Sequence, residues 1–236
     1  MDIEFLWRGR TAIAVLKPPN LPTQAASNID SLETVLLKEL GRDLGELWFP
    51  HRLDCMVSGV ILVALTKGSA RLLSAQFASR KTQKVYEAIV EGEVDANQLS
   101  PKKWEDYIRK VENRASVEPC RSIDPGAKLA TTRVRALCQG GLSDACDATD
   151  NCDAPDNTVC RQSRLELCPE SGRMHQLRVQ NAMRGHPIVG DVLYGGPPIV
   201  PGDEADAPRI LLHARQLGFH DPENGRWTEV ESKCPF

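Results

Sequence analysis

The stretch "FPHRLDCMVSG", residues 49 to 59, sets Asp54 directly behind a basic pair, His51 and Arg52, and just ahead of an apolar run from Gly59 to Leu65. Buried strands usually begin at turn residues such as Gly, Asn or Pro, so a carboxylate in this place needs a reason beyond folding. The following "SGVILVAL" is too short for a typical helix and rich in β-branched residues, which predicts a buried strand. Outward from it, "IEFLW" and "AIAVL" read as short strands that end at the Lys17-Pro18-Pro19 turn. Asp30 is placed to cap a helix, with Glu33 in the capping-box position ahead of Val35, Leu36 and Leu40. A second helix is expected from Ser69 to Ser79, with Leu72, Leu73 and Phe77 facing inward.

Further along, "KTQKVYEAIVEG" alternates with period two, putting Tyr86, Ala88 and Val90 on one face and Val85 and Ile89 on the other. Apolar residues on both faces predict a strand inside a sheet. "LATTRVRAL" and "VCRQSRLELCP" suit strands too, and "MHQLRVQNAMRG" suits a helix ended by Gly185, with Pro187 following. Near the C-terminus, "RQLGFHDPENGRWTEVE" reads as two strands joined at an Asp221-Pro222-Glu223-Asn224-Gly225 turn. Strands and helices without strict alternation indicate an α+β fold, not a doubly wound parallel sheet. The 236 residues suffice for one substantial core, and a single domain over 1–236 is the expected organisation.

Composition narrows the class. Hydrophobic residues make up 41% and charged residues 26%, ordinary values for a soluble globular enzyme. The opening residues carry Asp2 and Glu4 and lack the basic-then-apolar order of a secretory signal, and no apolar run is long enough to span a bilayer. A cytoplasmic protein without membrane contact is expected. The eight cysteines include no C-x-x-C pair, so reduced thiols are favoured over a zinc site and no metal is predicted.

Charge is unevenly spread. Residues 136–160 hold five aspartates and no Lys or Arg; without them 29 basic residues face 27 acids, a net of +2. This acidic, cysteine-containing segment reads as a loop insertion, because it offers too little apolar surface to order itself. By contrast, residues 55–86 carry Lys67, Arg71, Arg80, Lys81 and Lys84 without one acid, and residues 161–186 carry Arg161, Arg164, Arg173, Arg178 and Arg184 against Glu166 and Glu170. Local basic patches of this kind suit a phosphate backbone even on a chain of net charge -3.

Four segments complete the reading: "HRLD" at 51–54, "KVYEAIVEG" at 84–92, "SGRMHQLRV" at 171–179 and "GHPIVGDVLYG" at 185–195. In this order they closely resemble the RluA-type pseudouridine synthases, which isomerise uridine in ribosomal and transfer RNA. "LKPPNLPTQ" at 16–24 and "LLHARQLGF" at 211–219 resemble that family's opening turn and closing strand, so the likeness covers nearly the whole chain apart from the insertion. It implies the pseudouridine synthase fold, a central mixed and largely antiparallel sheet flanked by helices. It also implies an isomerase that needs no cofactor, working as a monomer on a ribosomal or transfer RNA stem-loop.

The resemblance makes Asp54 the catalytic carboxylate, and a carboxylate can serve as covalent nucleophile or as base. Arg178 is implied as the partner that keeps Asp54 ionised against desolvation. Tyr86 is implied as the ring that stacks on the target base, with a hydroxyl able to help remove the proton from ring carbon 5. Arg52, Lys84, Arg173, His175 and Leu177 are the implied RNA-binding residues, while His51 is open to a structural role.

Three features depart from the family pattern. Cys55-Met56-Val57 replaces the usual basic residue, acid and Thr; Gln180 stands where a histidine often follows "LRV"; and no accessory RNA-binding domain is expected ahead of the catalytic one. The altered "DCMV" segment keeps open an alternative, a catalytically impaired RNA-binding protein that retains the scaffold.

Overall fold

The computed structural model describes residues 2–26, 29–94, 102–139, 162–199 and 209–236. The aspartates of the acidic segment and Arg161 lie outside the described residues. Residues 136–139, assigned to that segment by composition, continue a strand instead.

Ten strands join in one sheet: β1 (Phe5–Arg8), β2 (Ala12–Lys17), β3 (Ser58–Ala64), β4 (Gln83–Glu91), β5 (Lys102–Lys110), β6 (Val117–Pro119), β7 (Lys128–Gln139), β8 (Gln162–Pro169), β9 (Leu212–His220) and β10 (Trp227–Glu231). Their order is β1-β2-β3-β9-β4-β8-β7-β5-β6, with β10 paired to β9. Every pairing among them is antiparallel except β3 with β9, so the expected mixed, largely antiparallel α+β sheet is found. Helix α1 spans Leu32–Leu40, α2 spans Lys67–Ala78 and α3 spans Gln176–Ala182.

The strand behind Asp54 is buried at every position of β3, as its unbroken apolar run requires. At its start Gly59 adopts φ 130°, and a Cβ there would lie 2.4 Å from the Ala214 carbonyl oxygen. Only glycine lets β3 approach β9 so closely at the parallel crossing. His213 fastens the same place: its Nδ1 meets Ser58 Oγ at 2.8 Å and its Nε2 meets Ser232 Oγ at 2.8 Å. The loop that carries Asp54 therefore leaves from a rigid seam.

Strand β4 lies between β9 and β8, the interior place its two apolar faces predict. Glu87 sits buried beside Val85 and Ile89, tolerated because Arg164 and Arg215 each reach its carboxylate at 3.1 Å.

Several expectations shift. Helix α1 is capped by Ser31, not Asp30, and the capping box closes through Thr34, leaving Glu33 to accept from Gln24. In α2, Leu73 is buried and Phe77 packs partly against the core, but Leu72 is 47% exposed because it turns off the inward stripe. Helix α3 begins two residues after Met174, since His175 takes a left-handed φ of 49° that a helix cannot continue through.

Two histidines, His213 buried and His51 half-buried, give the fold an acid sensitivity. Burial, then the charge of Lys84, pushes His51 down to about 3, and burial pushes His213 down to about 4, from an ordinary value of 6.5. The unfolded chain takes up protons at these sites below pH 6.5 that the folded chain refuses. Their contribution to stability is thus complete above 6.5 and lost as pH falls toward 4 and 3. The melting temperature is expected to drop by about 5 °C or more between pH 7 and pH 5, before most carboxylates titrate; an unchanged value across that window would refute it.

Candidate active site

Asp54 stands in a turn whose backbone is tied down at three successive carbonyls. Leu53 O accepts from Thr23 Oγ1 at 3.2 Å, Asp54 O accepts from the Val57 amide at 3.1 Å, and Cys55 O accepts from Lys17 Nζ at 2.9 Å. Lys17 has no exposed surface and also donates to the carbonyls of Pro18 and Leu21 at 2.8 Å. Burial lowers its pKa to about 8, against the raising influence of Cys55 and Asp54. The departure at Cys55-Met56-Val57 is absorbed by this geometry. Cys55 is exposed, Met56 packs on the core and Val57 is buried within it, so the turn is held by backbone and lysine.

Opposite the turn, α3 presents Arg178. Its Nη1 lies 3.3 Å from Asp54 Oδ2. The expected pair is present, yet the stronger partner of Arg178 is Asp191, which it grips through Nε to Oδ2 and Nη2 to Oδ1, both at 2.7 Å. Burial opposes the charge of Arg178, while the hydrogen bonds and charge of Asp191, aided by Asp54, more than offset it and hold the guanidinium protonated. Asp191 is 1% exposed and lies just ahead of a short 3-10 helix, Val192–Tyr194. It is a carrier of the site that the sequence reading left without a role.

His175 comes to the same carboxylate. Its Nε2 lies 3.7 Å from Asp54 Oδ2, and its Nδ1 is 2.9 Å from the hydroxyl of Tyr194. Burial lowers its pKa, with Asp54 opposing. His51, by contrast, belongs to the scaffold: its Nε2 accepts from the Leu62 amide at 2.9 Å and its ring stacks on Phe77 at 4.5 Å between centroids.

Tyr86 reaches the site from β4. The pairing of β4 with β9 slips between Val85 and Tyr86, the kind of irregularity that re-aims a side chain next to a functional site. Burial, then the negative charge of Asp54, raises the pKa of its hydroxyl, so the phenol stays protonated. Leu177 is 6% exposed and belongs to the core cluster that Tyr86 packs against.

Asp54, Tyr86, His175, Leu177 and Arg178 line one cleft of about 1030 Å³. Its remaining wall carries Arg52, Arg80, Lys84 and Arg173. Lys84 donates to the Ser171 carbonyl at 3.1 Å, and burial, with Arg80 adding to it, brings its pKa down to about 8, so it remains largely charged at neutral pH. Among the described residues, the rest of the second basic stretch does not face outward as a patch. Arg164 is committed to Glu87, Arg178 to Asp191 and Arg184 to Asp106 at 3.0 Å, because each meets an acid within the fold. Lys67 and Arg71 do not line the cleft. Gln180, in the place where a histidine is usual, is fully buried and bonds Thr132 and Asp106 at 2.7 Å each, which stitches α3 to β7 and β5.

A part-exposed carboxylate, a shared guanidinium, a half-buried phenol and a basic rim meet in one cleft, a concave site able to hold a ligand that carries phosphates. The model of the RNA pseudouridylate synthase family matches residues 11–183. This chain belongs to that family. Within it the relationship is to RluA-type isomerases. The tRNA pseudouridine synthase C of Pectobacterium carotovorum subsp. carotovorum is 31% identical over 235 residues, covering 98% of this chain and 59% of that protein. The dual-specificity RNA pseudouridine synthase RluA of Pasteurella multocida is 36% identical over 186 residues, covering 79% of this chain and 73% of its own length. Among solved structures, human RNA pseudouridylate synthase domain containing 1 superposes with a TM-score of 0.72 at 27% identity, covering all of this chain and 84% of that one.

Proposed function

We propose that this synthase isomerises a specific uridine in ribosomal or transfer RNA, with Asp54 as the reacting carboxylate. The observation that carries this reading is the Asp54-Arg178-Asp191 chain, which delivers one permanently charged guanidinium to 3.3 Å from a part-exposed carboxylate in a basic-walled cleft. The names of its relatives, one acting on transfer RNA and one of dual specificity, support the substrate class.

The reaction breaks the bond from ribose carbon 1 to the base nitrogen, turns the base, and joins carbon 5 to the same sugar carbon. Carbon 5 loses a proton and the freed nitrogen gains one, so no electron carrier is needed. Asp54 acts on the sugar, by attack or by removing a proton. Tyr86 stacks on the base, and its hydroxyl can relay the carbon 5 proton only by passing its own hydrogen on to solvent or to the freed base nitrogen as it takes that proton up. The target uridine is extruded from a stem-loop to reach this depth. Arg52, Lys84 and Arg173 take flanking phosphates, which position the RNA without reading its sequence, and Leu177 packs beneath the base.

The test is tritium release from RNA labelled at uridine carbon 5, using unmodified ribosomal and transfer RNA in separate pools. Release from one pool identifies the substrate class. Release from neither, by folded protein that binds both, would overturn the proposal.

A further inference from the structure

The hydroxyl of Tyr194 has two hydrogen-bond partners among the described residues, and together they favour one place for a proton. The Val117 amide donates to its hydroxyl oxygen at 2.9 Å. The only other partner of that hydroxyl among the described residues is His175 Nδ1, at 2.9 Å. An amide cannot accept, so among the described residues the phenolic hydrogen has one acceptor in reach, the lone pair of Nδ1. A neutral imidazole that accepts at Nδ1 carries its own hydrogen at Nε2. Nε2 is the atom 3.7 Å from Asp54 Oδ2.

Two donors therefore converge on one carboxylate oxygen. Arg178 Nη1 donates to Oδ2 at 3.3 Å, and His175 Nε2 faces the same Oδ2 at 3.7 Å, where its N–H acts through its dipole and not as a formed hydrogen bond. Oδ1 has no hydrogen-bond partner among the described residues, and the side chain is 31% exposed to the cleft side. The two oxygens of Asp54 are unequal before any substrate arrives. The backbone of His175 supports the same conclusion: among the described residues it is one of four non-glycine residues at positive φ, at 49°, a conformation that costs free energy and persists where the surroundings enforce it. The surroundings here are the Tyr194 hydroxyl, the edge-on Tyr194 ring at 5.7 Å, and Arg178 lying 5.2 Å over that ring.

We infer that Tyr194 and His175 are positioning residues that act as a relay: Tyr194 fixes the His175 proton on Nε2, this holds Oδ2 of Asp54 together with Arg178, and Oδ1 is left as the oxygen presented to the ribose. The inference rests on the reading of Asp54 as the reacting carboxylate. It also gives the outlying strand β6 a part in the chemistry, since Val117 supplies the amide that turns the tyrosine hydrogen toward the histidine.

Tyr194→Phe keeps the ring and removes the hydroxyl. Its kcat is expected to fall about tenfold, the usual scale for a residue that orients another, with KM within about twofold of wild type. His175→Gln, which can offer an amide N–H near the Nε2 position, should keep more activity than His175→Leu, and both carry the same left-handed backbone penalty. Because Tyr194 works through His175, Tyr194→Phe should cost little further in the His175→Gln background. An equal cost in both backgrounds would mean that Tyr194 only supports the fold and would overturn the relay. Nitrogen-15 spectra of the labelled histidines read the tautomer without any turnover. Wild type should show His175 protonated on Nε2 with Nδ1 bare, and Tyr194→Phe should show both tautomers; a wild-type proton on Nδ1 would sink the inference. Should Asp54→Asn prove active, the catalytic reading fails, and the spectra still decide the relay separately.

Discussion

Asp54→Asn is expected to abolish tritium release, by about 10⁴-fold or more, the scale seen when a reacting group is removed outright from a site that keeps its binding surface. The substitution is nearly isosteric, and the physics of the site predicts that folding will not follow activity. Arg178 keeps its two 2.7 Å bonds to Asp191 whether or not residue 54 is charged, so no buried cation is stranded. The turn itself is held by the carbonyls of residues 53, 54 and 55, none of which involves the carboxylate. With a side chain 31% exposed, the lost ion pair contributes no more than about 1 kcal/mol to stability. Thermal melting and RNA binding measured on the same preparation should stay near wild type while turnover disappears. A variant that retained a tenth of the activity would show that Asp54 assists and does not react.

How much of this was written in the sequence depends on whether a residue's partner is near or far along the chain. Strands β3 and β4 and the β9-β10 hairpin were legible because a short β-branched apolar run, period-two alternation and an Asn-Gly turn are all local signals. Strand β5 escaped because Asp106 occupies an inward position between Trp104 and Ile108, breaking the apolar alternation of "KKWEDYIRK". The carboxylate is tolerated there only because Gln180 and Arg184, more than seventy residues on, receive it. Strand β6 has three residues, too few to show a period. At the site, Asp54, Tyr86 and Arg178 were found through their motifs and do converge on one cleft. Asp191 was passed over although it stands in "GHPIVGDVLYG", since an acid before a short turn looks like a surface residue until its partner is known. Lys17 was hidden for the same reason. Nothing in "AIAVLK" shows that its ammonium will be enclosed by three carbonyls, one of them from the turn that carries Asp54, 38 residues away.

The largest stability effect should come from Asp191, not from Asp54. Asp191→Ala removes both 2.7 Å bonds from an arginine that is 5% exposed, leaving its charge with only the looser contact at 3.3 Å. Breaking a buried pair in this way costs about 3–5 kcal/mol, because the surviving ion remains desolvated. For a chain of this size that corresponds to a fall in melting temperature of roughly 6–20 °C. Activity should fall as well, since Arg178 is then free to draw Asp54 into a closer pair and quench the carboxylate it now only steadies. Replacing both partners separates the two consequences. Arg178→Met with Asp191→Leu buries no charge, so its melting temperature should recover above that of Asp191→Ala, while its turnover remains at the level of an enzyme without Arg178. If the double variant recovered activity along with stability, the guanidinium would be a packing element and the charge at 3.3 Å from Asp54 would have no part in the reaction. Recovery of stability alone assigns the pair its place: Asp191 exists to keep one arginine charged, buried and only partly spent, so that what remains of its field falls on Asp54.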